Sequence, residues 1–286
     1  MTALDVSTLV GVRPRPGLPS DFAQMTRVTK YELLNYVRGL RFVVLMAITL
    51  VIAGILTAVT AYYRPAGLIG SGLTFFTDWW ALEISSLIAL AGALFGGDAI
   101  AGEFQNKTGY FLFGHPIRRS SVFLGKISAA FLASAVIVLV YAAICVVNGW
   151  YYTGVPPIQL SESVAFALVY LLGVLGFTFF FSSLFKSGAM SIIVTLVLLL
   201  FGFTLIDALV SSLANVEPWF SITYGGGVIG NILTVPYPPH IAPAAEMFRG
   251  FAPYHVTIPE GIAILVAYLI LGGAGGYALF RRQDFT

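Results

Sequence analysis

Long apolar runs separated by short polar stretches dominate the chain after about residue 40. Runs near 42–62, 79–99, 122–147, 163–185, 188–211 and 260–280 carry almost no charge. About 20 such residues cross a hydrocarbon core as a helix. Lipid leaves no partner for a free backbone N–H or C=O, so each run is predicted to be helical. The third run is long enough to tilt or to project past the bilayer. The predicted fold is an all-α polytopic membrane protein with six transmembrane helices and both ends on one side.

Two polar pieces complete the pattern. In QMTRVTKYELLNYVRGLR, residues 24–41, helical projection at 100° per residue places Arg27, Lys30, Arg38 and Arg41 within an arc of roughly 80°. Met25, Leu33, Tyr36, Val37 and Leu40 fill another arc, and Tyr31 and Leu34 blur the boundary. Two readings fit: an amphipathic helix in the headgroup layer with its cations toward anionic lipid, or an ordinary basic flank. The second piece, residues 212–259, holds Pro218, Pro236, Pro238, Pro239, Pro243, Pro253 and Pro259, which forbid one continuous helix. It is too apolar for a solvated linker. Short re-entrant or outer-face helices are predicted there, with Trp219, Tyr224, Tyr237 and Tyr254 suited to the interface. The segment serves either as a cap over an exit path or as a passive lid.

Charge then sets the orientation. With a cytoplasmic N-terminus, 13 Lys and Arg fall on the inner side and only Arg64 and Arg249 on the outer side. The positive-inside rule therefore places both termini, and the loop between the second and third spans, in the cytoplasm of a cell-membrane protein. Composition agrees: 58% of the 286 residues are hydrophobic, 10% are charged and the mean hydropathy is +0.90. A soluble domain carries about 25% charged residues. No early apolar segment of signal-peptide type appears, and residues 1–23 are expected to form a flexible cytoplasmic tail. The single cysteine, Cys145, lies in an apolar run and reads as a core residue rather than a reactive thiol.

Candidate chemistry is sparse. No GxxxxGK followed by Ser or Thr occurs, so no phosphate-cradling loop is expected. His115, His240 and His255 are scattered, without HExxH spacing or cysteine partners, and no metal site and no catalytic residue are assigned. Glu83, Asp98 and Asp207 are the acids near the membrane, expected at or toward span ends. Asp98 and Asp207 are candidates for a polar transport path, or else carboxylates hydrogen-bonded near the interface. Gly92-xxx-Gly96 and Gly272-xxx-Gly276 match the spacing of close helix packing.

The stretch AGEFQNKTGYFLFGHPIRRSSVFLGK, residues 101–126, interrupts the apolar pattern with four cations, aromatics and a break at Gly114-His115-Pro116. It reads as a knob, aromatic on its surface and basic at its root, whose Phe and Tyr side chains suit a protein partner. Its pattern, Gly102-Glu103, Thr108, Pro116-Ile117, Arg119 and Gly125-Lys126, resembles the permease subunits of type-2 ABC exporters, as does the closing Phe280-Arg281-Arg282-Gln283-Asp284-Phe285. Lys107, Gly109 and Tyr110 depart from the family's usual Gly, Leu and acid.

The resemblance implies that residues 24–286 form one type-2 ABC transmembrane domain. It implies that the knob is a coupling helix seated on a separate cytoplasmic ATPase, which holds the ATP and magnesium while this chain binds no cofactor. A second permease copy is implied as well, in a homodimer or heterodimer, with a cavity between subunits mainly at the second and fifth spans. Glu103, Thr108, Pro116 and Arg119 carry over as coupling-loop positions; Phe104, Lys107, His115 and Arg118 join them from their place in the knob. Nucleic acid is not an expected partner. A docking scaffold and an integral-membrane lipid-modifying enzyme are the alternatives.

Overall fold

A computed structural model describes residues 20–106, 117–241 and 254–282. The loop stretch holding Lys107, Thr108, His115 and Pro116 lies outside the described residues, as do the first 19 and last four residues of the chain. The described residues are almost wholly helical and contain no strand. Helix α1, Asp21–Arg38, starts where Ser20 Oγ accepts from the Ala23 amide at 3.3 Å.

Six helices are long and apolar enough to cross a membrane: Leu40–Tyr63, Gly72–Gln105, Arg119–Thr153, Ile158–Leu184, Gly188–Leu213 and Ile258–Arg282, here spans 1 to 6. Each overlaps an expected run. Span 2 differs most, at 34 residues. Its polar start, Thr77-Asp78, stays helical through a π-helical turn at Thr77–Ala81, because Phe75, Phe76, Trp79 and Trp80 around that turn are buried. Glu83 therefore lies well inside span 2, deeper than the end position its run suggested, beside a cavity of about 30 Å³ shared with Thr49, Ser86 and Tyr141. Span 3, at 35 residues, is about 52 Å long at 1.5 Å per residue and so outreaches the hydrocarbon.

Spans 2, 3 and 4 form the interior, while spans 1, 5 and 6 expose most of their apolar surface. Span 4 is the central post, packed against spans 2, 3, 5 and 6. Small residues let it approach its neighbours. A Cβ on Gly92 or Gly96 would meet Val174 Cγ1 at 2.5 Å or Thr178 Oγ1 at 2.2 Å. A Cβ on Gly272 would lie 2.5 Å from the Gly176 carbonyl oxygen, and one on Gly276 3.0 Å from that of Phe179. Both small-xxx-small pairs thus face span 4.

Many buried polar groups find partners within the bundle. Thr49, Ser183 and Thr195 donate to carbonyls four residues back, at 2.8, 2.9 and 2.6 Å. Trp79 Nε1 donates to Thr60 at 3.2 Å, Trp80 Nε1 to Ser163 at 2.9 Å, and the Tyr141 hydroxyl to the Trp79 carbonyl at 2.6 Å. Ser163 in turn donates to the Ile229 carbonyl at 2.7 Å, tying span 4 to the segment behind span 5.

That segment folds back on the bundle instead of crossing it. Two short helices, Ile222–Gly226 and Val228–Asn231, bury Ile222, Val228 and Ile229. Tyr237 and Asn231 then donate to the Val256 carbonyl at 2.7 and 3.2 Å. Trp219 remains 63% exposed, and Trp150 at the same end of the bundle is exposed too.

Candidate functional site at the basic end

The bundle has a chemically distinct end. Among the described residues, Arg27, Lys30, Arg38, Arg41, Arg118, Arg119, Lys126, Lys186, Arg281 and Arg282 gather where α1 and the last helix lie; Arg64 alone lies at the far end.

Helix α1 is laid along span 3. Gln24 is buried, and Met25, Val28, Thr29, Glu32, Leu33 and Tyr36 are partly so. Thr29 Oγ1 donates to the Gly125 carbonyl at 3.2 Å, and the Tyr36 hydroxyl to the Phe95 carbonyl at 3.1 Å. Burial holds the Tyr36 phenol well above its ordinary pKa, so it stays a donor. The opposite face is exposed and carries Arg27, Lys30 and Arg38 with Tyr31, Leu34 and Val37 between them. Of the apolar arc, Met25, Leu33 and Tyr36 are packed on the bundle whereas Val37 and Leu40 are exposed, and the two residues that blurred the sequence pattern belong to the exposed cationic face.

Lys126 is the centre of this end. Its side chain is 3% exposed, and Nζ donates to Glu32 Oε1 at 2.5 Å and to Glu103 Oε1 at 2.8 Å. One cation thus joins α1, the end of span 2 and span 3. Arg41 pairs with Asp98 beside it. Glu32, Asn35, Tyr36, Arg41, Asp98 and Lys126 line a cavity of about 470 Å³ between these elements.

Both rims of the loop at 107–116 are braced. On the first rim, the Ser182 hydroxyl accepts from the Ile100 and Ala101 amides at 2.9 and 3.1 Å, and Gln105 accepts from the Gly188 amide at 2.9 Å. Phe104 packs against the core. On the second rim, the Arg118 amide donates to Gln24 at 3.1 Å and its guanidinium pairs with Asp21 at 2.5 Å. Arg119 Nη1 donates to the Arg281 carbonyl at 2.7 Å. The expected residues Glu103, Phe104, Arg118 and Arg119 are thus brought together as the base of the loop. Asp98 joins them, whereas Asp207 lies at the far end, accepting from Thr223 Oγ1 at 2.5 Å. The two acids thus stand at opposite ends of the bundle.

Ion pairs of Arg41 with Asp98, Arg118 with Asp21 and Lys126 with Glu32 and Glu103 join helices at this end, while Arg27, Lys30 and Arg38 stay exposed. Residues 26–285 match the family model described as ABC-2 family transporter protein.

The chain belongs to that family. It is a multi-pass membrane permease of an ABC transporter. No curated protein matches it.

Two parts of this ABC-2 permease escaped sequence reasoning. Lys126 read only as the end of a motif, although Glu32 gave a signal: an acid on the packing face of α1 needs a cation opposite it. The other part is at the far end, where Glu217 and Glu260 converge on His240. The permease also presents an apolar cleft of about 680 Å³ between spans 4 and 6, with Phe177, Phe180, Phe181, Trp219, Phe220 and Tyr268 in its walls.

Proposed function

We propose that this permease is the membrane subunit of an ATP-driven exporter whose ATPase is a separate cytoplasmic chain holding the ATP and magnesium. The basic end faces the cytoplasm of the cell membrane, with both termini inside. The ATPase grips the loop at 107–116, and its closure around nucleotide moves that loop. The observation that carries this reading is Lys126, which locks the loop base to α1 and span 3 through Glu103 and Glu32. A push on the loop is thereby passed to three helices together rather than absorbed at a hinge. Two permease copies assemble, homodimeric or heterodimeric, and the exposed faces of spans 1, 5 and 6 are the surfaces available to a second copy and to lipid. Residues 24–286 act as one transmembrane domain, and the chain itself catalyses nothing.

The deciding experiment co-expresses the permease with its ATPase and measures hydrolysis in nanodiscs. Arg119→Glu is expected to lower permease-stimulated ATP hydrolysis at least about tenfold while insertion and chain–chain assembly persist, a loss on the order of 1.4 kcal/mol in coupling. Wild-type stimulation in this variant removes Arg119 from the coupling surface. Orientation is checked by thiol labelling, for which the single buried Cys145 gives a silent background. Lys30→Cys should label only from the cytoplasmic side, and Val155→Cys, at a position 86% exposed, only from outside. Labelling of both from one side ends the topology.

A further inference from the structure

At the end opposite the termini, three side chains from separate parts of the chain converge. Glu217 follows span 5, His240 follows the two short helices, and Glu260 stands in the first turn of span 6. One ligand-capable atom of each lies within 4.8 Å of the other two.

Each is held from behind by a group outside the trio. The Tyr224 hydroxyl donates to Glu217 Oε1 at 2.7 Å, and the Thr257 amide to Glu260 Oε2 at 3.3 Å. His240 Nδ1 lies 3.0 Å from the His255 carbonyl oxygen. A carbonyl accepts only from a protonated nitrogen, so in the neutral ring Nε2 carries the lone pair. That Nε2 points at Glu217 Oε2, 3.3 Å away. A backbone carbonyl on Nδ1–H is the arrangement that fixes the tautomer and direction of a metal-binding imidazole. The 3.3 Å separation is also about the edge of a tetrahedron with ~2.0 Å metal–ligand bonds.

Charge points the same way. Among the described residues no Lys or Arg forms an ion pair with Glu217 or Glu260. Protonating His240 would offset one carboxylate and leave the other. One divalent ion would balance both carboxylates.

We propose that Glu217, His240 and Glu260 bind one divalent transition-metal ion of the zinc type, which clamps two points of the segment between spans 5 and 6 to the first turn of span 6. One imidazole with two carboxylates suits such an ion better than magnesium, which prefers an oxygen shell rich in water. The side chain of His240 is 42% exposed, so the remaining coordination position opens to water. The clamp goes beyond the coupling role and does not depend on it.

The test uses the full chain in nanodiscs, stripped with chelator and titrated with ZnCl2 by calorimetry in two buffers of different ionisation heat. One Zn²⁺ per chain is expected. His240→Gln should weaken binding at least about tenfold without shifting the thermal denaturation of the metal-free protein. Tyr224→Phe, which removes only an outer hydrogen bond, should cost roughly 10-fold or more. Co²⁺ in place of Zn²⁺ should give visible absorption bands that His240→Gln abolishes. Absence of saturable Zn²⁺ binding in the wild type overturns the proposal, and so does an unchanged isotherm in His240→Gln. Neither result bears on whether Arg119→Glu uncouples the ATPase, so the two readings fail separately.

Discussion

Lys126→Met is expected to be the most damaging single substitution at the basic end. It deletes the cation from a site where the lysine side chain is 3% exposed and leaves Glu32 and Glu103 facing one another. Breaking a buried ion pair by removing one partner costs about 3–5 kcal/mol, chiefly because the remaining charge loses its compensation. The variant should therefore denature at lower temperature in detergent and yield less monodisperse protein. The triple variant Lys126→Met, Glu32→Gln, Glu103→Gln should recover most of the loss, since replacing a whole buried network is often near neutral. Two outcomes separate stability from coupling. If the triple variant is stable but no longer stimulates the ATPase, the network's role is mechanical. If Lys126→Met denatures like the wild type, the network does not support the fold.

The second large effect is expected where spans 4 and 6 cross. A Cβ on Gly176 would lie 2.5 Å from both Leu269 Cα and the Tyr268 carbonyl oxygen. Those are backbone atoms, which cannot rotate aside as a side chain can, so the helices themselves must separate. Gly176→Val should cost about 1–3 kcal/mol or more as overpacking, read as lost thermal stability and impaired expression. Gly273→Ala supplies the control. That position also lies in span 6, but nothing sits within 4 Å of its added Cβ. It should leave stability unchanged or slightly raise it through helix propensity. Equal damage from both would mean that the crossing is not set by contact distance.

The spans were legible because apolar length is a direct physical requirement of the bilayer. All six expected runs overlap the observed helices, and span 2 outgrew its run at both ends: Thr77-Asp78 masked a helical start that buried Phe75, Phe76 and Trp80 sustain, and the helix runs on past Asp98 to Gln105. The glycine spacings were legible as motifs but not as contacts. What made them contacts was span 4, whose central place depends on how helices assemble. Helix α1 shows the limit of projection. Its angles told which residues share a face, yet not that Met25, Leu33 and Tyr36 would pack on the bundle while Tyr31 and Leu34 stand among exposed cations. Pairs such as Lys126 with Glu32, 94 residues apart, and the trio at 217, 240 and 260 come from tertiary proximity alone, which no local spacing encodes.

The four tryptophans, Trp79, Trp80, Trp150 and Trp219, all belong to the half of the bundle remote from α1. Intrinsic emission will therefore monitor that half and be blind to the loop base. Blue-shifted light will come from the indoles sealed around the π-helical turn, and redder light from Trp150 and Trp219. Quenching of the red component by a soluble quencher, followed during turnover without any added dye, becomes a spectroscopic window on one half of the transport cycle.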